Sequence, residues 1–565
     1  MQNVISGLGI FVFILVAWVL SEDRKRFPWR VVAWGILLQF IFAFLVLSWE
    51  PGTRVFLRLN DVFNALLSFS KQGSSFVFGA VGSADAGDAS ISLREYLMRL
   101  GAESNDPVIQ SAVRSGAVPG AILAFQVLTT IIFFSALLSV LYYLGVMQKI
   151  VALFARIMAH TMKVSGAESL SNSANIFVGQ TEAPLVVRPF IEKMTRSELM
   201  AIMVGGFANT AGGVLGAYVL MLVGFFPNIA AHLISASLLS APAAFIIAKV
   251  MVPEREEPLT RGEVKMDVPI EDANILDAAA NGTTVGWQLA VNVGAMLIAF
   301  VALIAMANLG VGWFGGFFRS MSGLAQFDII VIGILLSLAA VERYGPPRDN
   351  LVWWTLPTLV ALYIAARAIA GPELSRLLGL IGVAVWLTLF LQAGNKAPLG
   401  KRGWGTVLGL GLAANVGYLS LGPMGAETQL SVQGILGWLH WPVAFAMGTP
   451  VQDCVVVGRL LGEKLVLTEF AAYANLGGHL AAIGRGEAAP MDPRSIVIVS
   501  YALSGFSNFA SIAIQIGGIA PLAPSRRHDI ARLGLKAMVG GALASYMLAS
   551  VAGAFYSGSS MLGIK

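Results

Sequence analysis

The chain has 565 residues, of which 56% are hydrophobic and only 12% are charged, and its mean hydropathy is +0.75. A soluble domain carries roughly 25% charged residues, so this composition excludes a soluble globular protein. It predicts an all-α, polytopic membrane protein. The net charge of +5 comes from basic loops and gives no reason to expect nucleic-acid binding.

Long apolar runs mark the predicted spans, because about 20 such residues cross a bilayer as a helix. The first run lacks the basic start and the cleavage site of a signal peptide, so we interpret it as a retained span. The basic loop "SEDRKRFPWR" follows it and is expected in the cytoplasm, which places the N-terminus outside. The runs are Val4–Leu20, Val32–Leu47, Val118–Met147, Leu199–Phe225, Val285–Ala307 and Ala537–Phe555.

Two further segments, Glu168–Ile191 and Ser495–Pro524, have apolar flanks around a centre that contains Gly and Asn. Irregular backbone at membrane depth is tolerated only inside protein or along a cavity. The pattern predicts two re-entrant helical hairpins whose broken tips meet near the midplane. A helix containing "MVGG" (Met203–Gly206 and Met538–Gly541) follows each, which suggests an internal repeat. If the repeats are inverted, the two basic turns face opposite sides, against the positive-inside rule.

The first predicted tip carries polar residues where Gly179 and Pro184 interrupt a helix. Gln180, Thr181 and Glu182 lie between them. A carboxylate at membrane depth costs at least about 2.5 kcal/mol and is a functional candidate by default. The alternative is that Glu182 pairs with the nearby Arg188 and only holds the hairpin together.

Later in the chain, Glu469 lies within apolar sequence, and Phe506, Asn508 and Ser511 offer an aromatic face and hydrogen-bonding groups. Glu469 has the alternative of a helix end at the membrane interface. Cys454 is the only cysteine, so neither a disulfide nor a cysteine metal site is expected. No nucleophile–base pair is evident, and we do not expect an enzyme. Gln148–Lys163 is predicted to be an interfacial helix.

Three separated motifs, Gly179–Tyr218, Gly462–Tyr473 and Ser504–Pro524, resemble the concentrative nucleoside transporter family and occur in its order. The resemblance covers most of Val118–Leu309 and Leu430–Gly553. It implies a cation-coupled nucleoside importer of the plasma membrane (the inner membrane in a Gram-negative bacterium). It also implies a homotrimer in membrane lipid, with inverted repeats and a transport domain that moves as an elevator.

The resemblance also implies roles for individual residues. Gln180 and Thr181, on the tip that begins at Gly179, match positions that contact the nucleobase, and Glu182 matches one that reaches it through water. The positions of Glu469, Asn508 and Ser511 match those that bind the ribose hydroxyls. Phe506 matches a position that packs against the base.

The coupling ion is expected to be sodium, and no other cofactor is expected. In sodium-coupled members the resemblance places the ion at positions matched by Asn175, Val178, Asn209 and Thr210, although the family has a Ser/Thr–Ile pair where this chain has Asn209–Thr210. The alternative is proton coupling through Glu182 or Glu469. Two further hypotheses stay open, namely transport of a related solute such as a nucleobase, and a membrane sensor that binds nucleosides without moving them.

The predicted domains follow from these assignments. Scaffold spans and an interfacial segment occupy 1–117, and a scaffold span with an interfacial helix occupies 118–163. The halves of the transport domain are 164–250 and 430–565, and 251–309 holds a cytoplasmic loop and a scaffold span. The remaining stretch, 310–429, is an insert with about four extra spans (within Gly323–Ser420), which bacterial members generally lack.

Overall fold

The computed structural model describes residues 2–79, 123–261, 272–320 and 431–557, except 485 and 487. Secondary structure in these ranges is helical, and the one β-contact is an isolated bridge between Ser165 and Arg261. The prediction of an all-α protein is confirmed for the described part. Its α-helices are α1 Gln2–Val19, α2 Trp29–Ala43, α3 Glu50–Phe78, α4 Leu128–Tyr143, α5 Val146–Met162, α6 Gly166–Ala174, α7 Arg188–Ile191, α8 Arg196–Ala208, α9 Gly212–Leu222, α10 Ile229–Met251, α11 Ile275–Ser320, α12 Val432–Ala446, α13 Cys454–Val466, α14 Glu469–Gly484, α15 Pro493–Leu503, α16 Phe509–Ile519 and α17 Arg527–Phe555.

The chain forms two compact units, one of Met1–Val301 with Leu436–Lys565 and the other of Ala302–Ile435. In the second unit, the Asn308 amide donates to Gln433 Oε1 over 2.9 Å and accepts from the backbone N–H of Val432 over 2.8 Å. The predicted insert at 310–429 lies almost entirely outside the described residues, so its four extra spans stay a prediction.

Seven described helical stretches are long and apolar enough to cross a membrane, which confirms a multi-pass membrane protein. They differ in the fraction of their residues that is buried inside the protein. In the most apolar part of Arg196–Leu222, 94% of residues are buried, whereas the figure for Ile275–Trp313 is 12%. The outer helices therefore leave apolar faces uncovered, as expected where lipid or another subunit packs. The seven are Gln2–Val19, Trp29–Ser48, Ala124–Tyr143, Arg196–Leu222, Ile229–Met251, Ile275–Trp313 and Pro524–Phe555.

The two ends of α1 define two ends of the first unit. Just beyond its C-terminus, the Glu22 carboxylate accepts from Arg196 Nη2 over 2.9 Å and from Lys536 Nζ over 3.1 Å. At its N-terminus, Asn3 Oδ1 accepts from Arg494 Nη1 over 2.6 Å. We call these the Glu22 end and the Asn3 end, and they fix the direction of every later segment.

Residues 166–191 leave the Glu22 end and return to it. Ser165 caps α6, and its Oγ donates to Glu198 Oε1 over 2.5 Å, so the start of the segment is tied to the helix that follows it. The chain turns after Ala174 and comes back as a 3₁₀ helix, Ala183–Val187, and the single turn of α7. We call 166–191 the first returning segment.

Residues 454–484 form a matching segment at the Asn3 end. Asp453 Oδ2 accepts from the backbone N–H of Asp492 over 3.0 Å and from Ser495 Oγ over 2.6 Å, so the chain comes back to the place it left. Helix α13 begins at the buried Cys454, whose thiol faces two backbone carbonyl groups. We call 454–484 the second returning segment.

A helix that is broken in the middle follows each returning segment. The first broken helix, 196–222, starts at the Glu22 end. The second, 493–519, starts at the Asn3 end, where Arg494 binds Asn3, and leads to Arg526, whose Nη1 donates to Met194 O over 2.6 Å at the Glu22 end. The unbroken helices α10 and α17 then run back and pack against each other. The two halves thus repeat the same order of elements in opposite directions.

The repeat is present, but the predicted second hairpin, Ser495–Pro524, is wrong. This segment crosses from one end to the other as the second broken helix, and the hairpin-like element is 454–484. The basic turns also lie together, since Arg526 Nη1 donates to Glu192 O over 3.2 Å, so the expected conflict with the positive-inside rule disappears. The MVGG motifs lie on α8 and α17, which hold different places in the two halves, and are no sign of the repeat.

The predicted span Leu199–Phe225 is also interrupted. Asn209 and Ala211 have extended backbone, which ends α8 and starts α9. The two breaks meet, because the Gly505 N–H donates to Thr210 Oγ1 over 3.1 Å. Gly505 has φ +101°, and a Cβ there would lie 2.6 Å from Ala208 O, so only glycine fits this contact.

Candidate functional site

The tips of the two returning segments and the two breaks surround a cavity of about 920 Å³ in the first unit. The predicted substrate residues come from three separate stretches of the chain, and the structure brings all of them to this cavity. Residues of α4, α9 and α11 complete its wall. The predicted residues that line it are Gly179, Gln180, Thr181, Glu182, Glu469, Phe506, Asn508 and Ser511.

Glu469 has a hydrogen bond on each of its carboxylate oxygens. It opens α14, is 5% exposed, and its two carboxylate oxygens have different donors. Tyr218 Oη donates to Oε1 over 3.0 Å, and Asn508 Nδ2 donates to Oε2 over 2.8 Å. Asn508 in turn caps α16, because its Oδ1 accepts from the backbone N–H of Ser511 over 2.8 Å. The acid is therefore held in one orientation by both broken helices.

The first tip presents polar groups that have no partner. Gln180 Oε1 and Glu182 Oε2 are buried, and neither has a hydrogen bond within the described part of the protein. Thr181 packs against α16, where a Cβ on Gly518 would lie 2.5 Å from its methyl group. Buried polar atoms are nearly always paired, so unpaired ones at a cavity wall indicate a place for a polar ligand or water.

The alternative of a purely structural Glu182 finds no support. No ion pair joins Glu182 to Arg188 among the residues that the structure describes, and Arg188 is exposed at the cavity wall. Glu469 does begin a helix, α14, but its burial gives no support to the alternative of a helix end at the membrane interface. Its carboxylate lies deep in the protein, next to the second break.

The four residues predicted to hold sodium fall into two groups. Asn175 is 1% exposed, and neither its Oδ1 nor its Nδ2 has a partner among the described residues. Val178 lines the cavity, and the carbonyl of its neighbour Phe177 accepts from Gly212 N–H over 2.9 Å, which places this stretch beside the first break. Asn209 and Thr210 lie at that break.

The side chains at the break are already engaged. The Asn209 amide donates to Gly205 O over 2.9 Å and accepts from the hydroxyl of Ser240. Thr210 Oγ1 accepts from the Gly505 N–H. Of these residues, Asn175 is therefore the one whose side-chain amide makes no hydrogen bond to the described residues. The Asn209 side chain, in contrast, is held in place by its hydrogen bonds to Gly205 and Ser240.

Sequence reasoning missed Tyr218 as a site residue. It lies beneath the cavity, fully buried, and its ring stacks on Tyr473 with centroids 4.5 Å apart. A signal was present, since Tyr218 closes the first motif and a tyrosine in a buried span needs a partner for its hydroxyl. Only the fold shows that this partner is Glu469.

Sequence profiles of known families match most of the chain. "Na+ dependent nucleoside transporter C-terminus" matches 232–341 and 406–553, the corresponding N-terminus profile matches 8–81, and "Gate: Nucleoside recognition" matches 124–226. The chain is also 32% identical to the structurally solved protein CNTnw, over 98% of each chain and with a TM-score of 0.68. The chain belongs to the concentrative nucleoside transporter family.

Further relatives agree with this assignment. The uncharacterised transporter YutK of Bacillus subtilis is 32% identical over 98% of this chain and 100% of its own length. Sodium/nucleoside cotransporter 1 of Rattus norvegicus is 31% identical over 98% of this chain, which spans 64% of the rat protein. Concentrative nucleoside transporters are not enzymes, so that prediction is confirmed, as are nucleoside transport and sodium dependence at the level of the family.

Proposed function

We propose that this protein imports nucleosides by sodium symport and binds the nucleoside in the cavity between the returning segments and the breaks. The observation that carries the proposal is the convergence of all eight predicted substrate residues on this one cavity. Membership of a sodium-dependent nucleoside transporter family supports both the substrate class and the ion.

The chemistry of the wall suits a nucleoside. Glu469 and Asn508 offer hydrogen-bonding groups on one side, next to Ser511, and these suit ribose hydroxyls. At the first tip, the Gln180 Oε1 and Glu182 Oε2 atoms, which have no partner among the described residues, can accept from the edge of a base, directly or through water. The half-buried ring of Phe506 offers a face or an edge to the flat base.

Sodium is favoured over protons as the coupling ion. The unpartnered Asn175 amide and backbone carbonyls near Val178 supply oxygens of the kind that hard cations bind. The family comparison also gives no support to proton coupling.

The transport mechanism that we propose is an elevator. The returning segments serve as re-entrant hairpins. The two inverted halves, which include the buried helices α8, α10 and α17, form a transport domain that moves. The outer helices, with their exposed apolar faces, make the scaffold of a homotrimer in the plasma membrane. Support comes from CNTnw, for which inward-facing and outward-facing states are described.

The test is uptake by purified protein in proteoliposomes. Labelled uridine and adenosine are offered under an inward sodium gradient, with choline replacing sodium, and under a pH gradient alone. We expect accumulation only with the sodium gradient. Accumulation driven by the pH gradient without sodium would overturn sodium coupling, and nucleoside binding without uptake under any gradient would overturn transport.

A further inference from the structure

The second break is bound by a buried lysine. Lys464, near the C-terminus of α13, is 1% exposed, and its Nζ donates to Ala502 O over 2.8 Å and to Ser504 O over 3.3 Å. These carbonyls belong to the C-terminal end of α15, where a positive charge is favoured by the helix dipole. No carboxylate lies within 4 Å of this ammonium in the described residues, so its closest partners are backbone oxygens, as for a bound metal cation.

The two breaks correspond in detail. Asn209 ends α8 and Ser504 ends α15, and each is contacted by a serine of the following long helix. Ser240 donates to the Asn209 side chain, and Ser545 donates to Ser504 O over 3.0 Å. In each half the first arm of the returning segment ends beside the break. In the first half that arm ends at Asn175, an uncharged side chain without partners among the described residues, and in the second half it carries Lys464.

We propose that the Lys464 ammonium takes, in the second half of the repeat, the place that the sodium ion takes in the first half. Because this ammonium is covalently attached to the chain, we call it the tethered cation. Lys464 is a positioning residue, which holds the second break so that Asn508 and Ser511 face the cavity. We therefore expect one sodium ion per nucleoside, because the Lys464 side chain occupies the corresponding place in the second half. This inference rests on the proposed function, since it assigns sodium to the first break.

Chemical rescue tests the proposal in proteoliposomes. Lys464→Ala removes the ammonium and leaves space, and Lys464→Met removes the charge but fills the space. We expect nucleoside uptake to fall by about tenfold or more in both, as for lost hydrogen bonds to a charged group. Ethylammonium, added on both sides, should restore uptake to Lys464→Ala only, and tetramethylammonium, which has no N–H donor, should restore neither variant.

Sodium dependence provides a second readout that a merely structural lysine would not change. The Hill coefficient for sodium should be close to one in the unaltered protein and should rise toward two in Lys464→Ala. Lys149→Met is the matched control, because Lys149 is an exposed lysine on α5, and it should behave like the unaltered protein. Circular dichroism and size-exclusion chromatography check that each variant is folded.

The outcomes separate this inference from the proposed function. If the unaltered protein shows no sodium-driven uptake, the proposed function fails. If it does, and Lys464→Met keeps full uptake, or folded Lys464→Ala shows neither rescue nor a changed Hill coefficient, the tethered cation is overturned. If both lysine variants fail to fold, Lys464→Ala is purified in detergent and refolded in the presence of ethylammonium. Stabilisation of this variant by ethylammonium would support the proposal, and the absence of stabilisation would contradict it.

Discussion

The Tyr218 hydroxyl donates to Glu469 Oε1 over 3.0 Å and thereby joins the first broken helix to the tip of the second returning segment. Each residue belongs to a different half of the repeat. Glu469 lines the cavity, whereas Tyr218 is buried beneath it. The acid proposed to bind ribose is therefore oriented by a residue that does not line the cavity.

Tyr218→Phe should weaken nucleoside binding by about fivefold, because one hydrogen bond to the Glu469 carboxyl group is lost while the ring stack on Tyr473 remains. Equilibrium binding of uridine by isothermal titration calorimetry measures the effect. Tyr473→Phe is the matched control, since it removes a hydroxyl from the same stack that donates to Ser500 O over 2.6 Å. Equal affinity in Tyr218→Phe and the unaltered protein would contradict this role.

Asn175→Ala should raise the sodium concentration for half-maximal uptake by about tenfold with little loss of stability, because its amide makes no bond that folding would lose. Sodium titration of uridine uptake, together with thermal unfolding, tests both parts. In contrast, Asn172 donates to Glu168 O and Ala201 O. Asn172→Ala should lower the free energy of unfolding by about 1–3 kcal/mol. An unchanged sodium response in Asn175→Ala would remove it from the ion site.

Lys249→Met should destabilise the base of the first returning segment. The Lys249 ammonium lies 2.7 Å from the Glu168 carboxylate, and both are buried, with Glu198 close by in the same cluster. Loss of one partner of a buried pair costs about 3–5 kcal/mol, because the remaining charge has no compensation. Thermal and denaturant unfolding measure the loss.

Two variants check the cause of that destabilisation. Adding Glu168→Gln to Lys249→Met removes the uncompensated charge and should recover part of the stability. Lys193→Met changes an exposed lysine at the same end and should have an effect within about 0.5 kcal/mol. A double variant less stable than Lys249→Met would show that charge is not the reason.

Glu22 makes the Glu22 end sensitive to acid. Partial burial acts to raise the pKa of its carboxyl, but hydrogen bonds and charge from Arg196 and Lys536 outweigh it, so that the pKa is lowered from 4.5. A lowered pKa in the folded state gives stability that is complete above about pH 4.5 and is lost as the pH falls through the folded pKa. Glu22→Gln should flatten that part of the stability–pH curve, and an unchanged acid limb would refute the assignment.

Much of the site could be predicted from the sequence because its residues lie in short, distinctive motifs. The tip around Gln180 and Glu182 is predictable, because the glycine before it and the proline after it interrupt a helix. The second hairpin is not, for a physical reason. A broken helix and a returning hairpin both have the pattern apolar, polar, apolar, and only contacts such as Arg526 with Met194 show where the chain ends up.

The bonding of individual polar side chains is beyond sequence reasoning for a similar reason. Asn175 and Asn209 are the same residue type at neighbouring elements, yet one has no partner among the described residues and the other is bonded to Gly205 and Ser240. This difference depends on which long helix packs against the break. Lys464 lies near the C-terminus of α13, and its carbonyl partners lie about 40 positions later in the sequence.

The buried Cys454 has a practical consequence for spectroscopy. It is the only thiol in the sequence, and it is enclosed at the start of α13. Maleimide and nitroxide reagents therefore have no accessible native target, and single cysteines can be introduced without first removing one. A label at Lys193, near the Glu22 end, and another at Val451, near the Asn3 end, would report through membrane-impermeant quenchers which end faces the cell interior.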